Sequence, residues 1–110
     1  MEETLKQLIT NTLTGITCDS ILNKIIPPCA IYDFYRVDPE QFGNGRCEAE
    51  TVAVQIDLYY QYKNPRDEAA DKLHEALKNQ KNYTYPIMSI YYDDIAELYR
   101  ATYKFSILKG

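Results

Sequence analysis

Polar and apolar positions alternate most regularly between Thr51 and Lys63. Val52, Val54, Ile56, Leu58, Tyr60 and Tyr62 fall on one side, and Thr51, Ala53, Gln55, Asp57, Tyr59, Gln61 and Lys63 on the other. A period of two held this long predicts an extended strand buried on one face only. The C-terminal third repeats the pattern. Tyr99, Ala101, Tyr103, Phe105 and Ile107 alternate with Arg100, Thr102, Lys104 and Ser106, so Leu98 to Leu108 reads as a second long strand. Pro86 to Tyr92 reads as its hairpin partner across the connection Asp93 to Glu97. Ala30 to Val37 is dense in strand formers, and the turn-rich stretch Asp38 to Arg46 follows it.

Elsewhere the period changes to that of a helix. Leu5, Leu8, Ile9 and Leu13 share a stripe within Thr4 to Thr14, and Gly15 is a natural stop. A second helix follows the long strand. Asn64 suits its N-cap, Pro65 its first position, and Asp67 and Glu68 the end where the helix dipole favours negative charge. Its apolar stripe is Ala69, Ala70, Leu73, Ala76 and Leu77, with His74 on the polar side. Between Thr17 and Pro28, Asp19-Ser20 could cap a short turn carrying Ile21, Leu22, Ile25 and Ile26, ended by Pro27-Pro28. The order helix, strand, strand, helix, strand, strand predicts one α+β domain over residues 1–110. Its sheet is mostly antiparallel, with the helices packed on one face.

Composition narrows the function. The chain has 110 residues, enough for one domain that buries roughly two-thirds of its unfolded surface. Hydrophobic residues make up 45%, too many for a disordered tail, and no apolar run approaches a membrane span. Eleven tyrosines against three phenylalanines and no tryptophan point to half-buried sheet faces or a contact surface. The net charge is −4, held in the first half: residues 1–55 carry four basic and eight acidic groups, residues 56–110 eight of each. A surface that tracks phosphates is basic, so this balance argues against nucleic-acid binding. The acidic Met1-Glu2-Glu3 start and three cysteines that cannot all pair favour a reducing cytosol.

Each catalytic candidate lacks its companions. His74 is the sole histidine, and Cys18, Cys29 and Cys47 lie too far apart for the paired spacing of zinc sites. Cys18 and Cys29 flank apolar segments and read as core residues. Cys47 has Arg46 beside it but no helix N-terminus or histidine to activate it. Gly43-Asn44-Gly45 lacks the lysine of a phosphate loop, and Asp93-Asp94 lacks a calcium-loop pattern. Tyr59 points to the polar face, but Asp57, Gln55 and Thr51 beside it form no basic groove for stacked bases. No enzyme, cofactor or metal is expected, and protein contact is the better use of the exposed rings.

Three segments carry a resemblance: the run Thr-Val-Ala-Val-Gln-Ile-Asp-Leu-Tyr-Tyr from Thr51, the helix Glu-Ala-Ala-Asp-Lys-Leu-His-Glu-Ala-Leu, and the ending Tyr-Arg-Ala-Thr-Tyr-Lys-Phe-Ser-Ile. Together with the leading helix and the strand at Ala30, they resemble the tail-terminator (tail-completion) proteins of long-tailed bacteriophages and prophages. The resemblance is one of pattern and spans most of the chain; Thr17 to Pro28 departs from it. It implies a virion protein without cofactor that assembles as a ring, expected to be a hexamer. The ring would cap the tail tube and meet the head-tail connector protein. Assembly would take place in the bacterial host cytoplasm, and the finished ring would sit at the head-tail junction. Interface positions expected on this basis are Tyr59, Gln61, Arg100 and Thr102. The loop Phe42, Gly43, Asn44, Gly45 and Arg46 is the expected contact with the tail tube protein or connector. An adjacent connector protein is one alternative, and a cytosolic small-ligand-binding or regulatory module is another.

Overall fold

The computed structural model describes residues 2–35 and 50–109. Two helices and five strands follow in the order α1 (Glu2–Thr12), β1 (Thr17–Asp19), β2 (Cys29–Tyr35), β3 (Glu50–Tyr60), α2 (Lys63–Lys78), β4 (Ile87–Asp93) and β5 (Leu98–Lys109). The strands form one sheet in the order β1-β2-β3-β5-β4, antiparallel throughout except for β1 beside β2. This is the α+β architecture that the alternation and helical stripes predict. The short parallel strand β1 is an addition to it.

Both helices lie on one face of the sheet. Leu5 and Ile9 of α1, Leu13 just after it, and Ala69, Ala70, Leu73 and Leu77 of α2 meet Ala30, Tyr32, Val54, Ile56, Leu58, Ala101, Tyr103, Phe105 and Ile107. Removing these side chains from water is the principal driving force of the fold. The tyrosines of this layer keep their hydroxyls paired. The Tyr103 hydroxyl donates to the Ala70 carbonyl at 2.6 Å, and that of Tyr32 to Glu2 Oε1 at 2.9 Å. Helix α1 ends at Thr12, two residues before the expected end, and Gly15 beyond it has φ of 79°, a left-handed backbone that favours glycine.

Four local expectations change. The alternation beyond Tyr60 is not strand, because the chain bends at Gln61 and Tyr62 and leaves Tyr62 exposed. Helix α2 therefore starts at Lys63, with Tyr62 as its N-cap and no side-chain capping bond. The Tyr62 carbonyl accepts the Arg66 N–H, which leaves Asn64 inside the first turn. Pro65 is harmless there, since first-turn N–H groups have no helical acceptor. Asp67 and Glu68 lie past that first turn. Between β1 and β2 there is no helical turn: the Asp19 carboxylate accepts the Ser20 N–H at 2.7 Å, and Ile21, Ile25 and Ile26 are exposed.

Candidate interaction surface

The face of the sheet away from the helices is polar and aromatic rather than empty. Register sets its rows. Tyr59, Arg100 and Tyr91 lie side by side across β3, β5 and β4, and the next row is Asp57, Thr102 and Ser89. Arg100 joins them. Its Nη2 donates to Asp57 Oδ1 at 2.9 Å and its Nη1 to Asp93 Oδ2 at 3.0 Å. The guanidinium lies over the Tyr59 ring at 4.9 Å and the Tyr91 ring at 5.5 Å, favourable positions for a cation on aromatic faces. Asp57 also accepts from Thr102 Oγ1 at 2.8 Å and Gln55 Nε2 at 3.2 Å. The Tyr91 hydroxyl lies 3.3 Å from Thr102 Oγ1.

The electrostatics follow from this wiring. Burial works against the Arg100 charge, but Asp57 outweighs it and raises the arginine's pKa. The N–H of Ala96, then Arg100 and the N–H of Ile95, hold the Asp93 carboxyl below its ordinary value against its partial desolvation. Asp93 thus ties the β4–β5 turn to the cluster. Burial raises the Tyr59 phenol above its ordinary pKa despite the neighbouring arginine. One donor is left over: Arg100 Nε is buried and has no partner among the described residues.

Three of the four expected interface residues thus belong to one cluster. Arg100 remains partly accessible, whereas Tyr59 is 6% and Thr102 8% exposed. Tyr59 has the expected direction but not the expected exposure, because Arg100 covers its ring. Gln61 lies apart, exposed at the bend after β3. Phe42, Gly43, Asn44, Gly45 and Arg46 lie outside the described residues, as does Cys47. Cys18 and Cys29 are buried, and burial pushes the Cys18 thiol up to about 11, so neither is an activated nucleophile. His74 is half-buried rather than on an open polar face: Nε2 lies 3.3 Å from the Tyr85 hydroxyl, and Nδ1 is buried without a partner among the described residues.

Sequence reasoning missed Arg66. Its side chain is buried, and Nη1 donates to the carbonyls of Tyr91 and Arg100, each at 3.1 Å, while Nε pairs with Asp67 at 2.7 Å. It stitches the start of α2 to the β4–β5 ladder beneath the cluster. The signal was available: Arg66 precedes Ala69, Ala70 and Leu73 by three, four and seven residues, on the apolar stripe.

The second surface is the free side of β4. Ile87, Ile90, Tyr91 and Tyr92 are 68%, 43%, 40% and 46% exposed, and β4 pairs only with β5 among the described residues. Among the described residues, a cleft beside Ile87 measures about 240 Å³ and one between the ends of the helices about 150 Å³. Both are below the roughly 300 Å³ at which small-molecule sites begin. No group of three histidine, cysteine or acidic side chains among the described residues could hold a metal ion. No helix described is long and apolar enough to cross a membrane. No protein-family model and no curated protein sequence matches the chain.

Proposed function

We propose that this protein is a subunit of a ring that caps the tail tube of a long-tailed bacteriophage or prophage. The ring would end tube polymerisation and offer a joining surface to the head connector. The observation that carries this reading is the placing of exposed apolar side chains at two unlike ends of one sheet. Ile87, Ile90, Tyr91 and Tyr92 mark the β4 edge; Ile21, Ile25 and Ile26 mark the segment that joins β1 to β2 at the other end. A ring is closed by heterologous contacts, in which one patch meets a different patch on the next copy, so two unlike patches per subunit are required. The element order adds support, since it agrees with the resemblance in the long strand, the helix and the final hairpin. The net charge of −4 suits a ring that DNA crosses without adhering.

Genetics gives the test. Deleting the gene is expected to yield tails of abnormal length that fail to join heads. Tails of normal length, joined to heads, would sink the reading. Light scattering coupled to size exclusion on the purified protein, alone and with tail tubes, is expected to show a multi-subunit species at least in the presence of tubes.

A further inference from the structure

We propose that β4 is a self-pairing edge. In the free protein, two copies join β4 to β4 antiparallel about a twofold axis at Ile90. This assignment rests on the β4 edge and the charges flanking it, and stands or falls separately from the ring.

The first ground is the lack of protection among the described residues. Exposed strand edges offer unpaired N–H and C=O groups, and proteins blunt them with lysine, proline, bulges or short length. The β1 edge is blunted by length, having three residues. The β4 edge has seven residues, Ile-Met-Ser-Ile-Tyr-Tyr-Asp, with no lysine, proline or glycine. Its register with β5 runs without a slip from Ile87 opposite Lys104 to Asp93 opposite Leu98, so no bulge turns it away. Among the described residues, helix α2 packs mainly over β3 and β5.

The second ground is the match between β4 and its own reverse. With the axis at Ile90, each strand uses its whole length: Ile90 faces Ile90, Met88 faces Tyr92, Ser89 faces Tyr91, and Ile87 faces Asp93 of the other copy. Each pair has like parity, so side chains of the helix face meet those of the helix face. The exposed Ile90 and Tyr92 become covered there, and Ile87 and Tyr91 on the opposite face. Charge then selects direction. Exposed Lys104 lies beside Ile87 at one end of β4, and Asp93, exposed Asp94 and Glu97 lie at the other. Antiparallel pairing sets the lysine end of each copy against the acidic end of its neighbour, twice. Parallel pairing would set like against like. The result is a continuous ten-strand sheet, five from each copy, with all helices on one side. Such a dimer and any ring contact through β4 exclude each other, so pairing would hold free subunits back from assembling away from a template.

Sedimentation of the full chain between about 1 µM and 1 mM is the test, with Ile90→Lys and Ile90→Cys beside the wild type. A reversible dimer is expected. Ile90→Lys should weaken it at least tenfold while leaving the far-ultraviolet circular dichroism and melting temperature close to wild type, since Ile90 is partly exposed already. In a Cys47→Ser background, Ile90→Cys should form a disulfide dimer under mild oxidation, because facing residues of paired strands lie within disulfide reach, and Cys47→Ser alone under the same oxidant should not. A protein that stays monomeric at 1 mM overturns the proposal, as does a dimer indifferent to Ile90→Lys. Rings weakened by Ile90→Lys, with no cross-link formed by the Ile90→Cys variant, would also overturn it, while leaving the ring reading intact.

Discussion

Strands β3 and β5 present two faces that are buried by different means. Toward the helices, Val54, Ile56, Leu58, Ala101 and Tyr103 disappear into apolar side chains from α1 and α2. On the other face, one residue along each strand, Asp57, Tyr59, Arg100 and Thr102 are covered by one another. Apolar packing has little direction and scales with area, so the helix face sets how stable the domain is. The other face depends on a few directed bonds converging on one arginine. Of that cluster Arg100 stays partly accessible, beside the exposed side chains of β4. The two faces of the same strands are thus held by unlike means, area on one and directed bonds on the other.

The contrast can be broken most forcefully from the helix side. Leu73 is wholly buried, so Leu73→Ala should cost about 3–4 kcal/mol in urea unfolding. A loss below about 1 kcal/mol would mean that this face is not close-packed.

The next largest effect is alkaline. Burial raises the phenols of Tyr32, Tyr59, Tyr60, Tyr83 and Tyr103 above their ordinary value. The unfolded chain releases these protons near pH 10, whereas the folded chain retains them. Above about pH 10 the native state therefore binds more protons than the unfolded one, and stability must fall as pH rises. Tyrosinate absorbance from these five rings is expected to appear only as the chain unfolds. A single early step for all eleven tyrosines would contradict the burial of both faces.

Arg100→Met tests the other face. Asp57 keeps Gln55 and Thr102 as partners, and the cluster is partly solvated, so the expected cost is about 1–2 kcal/mol, clearly less than for Leu73→Ala. Equal costs would erase the distinction between the faces. The smallest effect belongs to the turn between β4 and β5. Glu97 has φ of 58°, in the left-handed region, so Glu97→Gly should raise stability by about 0.5–1 kcal/mol, measured by thermal melts.

What the sequence makes legible follows from the same contrast. Strict alternation placed β3 and β5, and the 3.6-residue stripe placed both helices, because these patterns are the direct imprint of a one-sided apolar core. Where burial arises from polar groups the imprint fails. Tyr59 carries a polar-face address yet is covered by Arg100, a cross-strand neighbour far along the chain that no local pattern reveals. Arg66 was hidden because its charge masks a core position. Tyr62 continued the alternation in sequence only, since the bend that starts α2 interrupts the strand two residues earlier. Strand β1, with three residues, is too short to show a period.

The assignment of contact to the β4 side of the sheet is tested most directly by amide hydrogen exchange followed from dilute to concentrated protein. Protection should rise with concentration in Ile87–Asp93, while the amides of α1 and α2 exchange at unchanged rates. Protection that rises over the helices instead, or nowhere, would contradict that assignment.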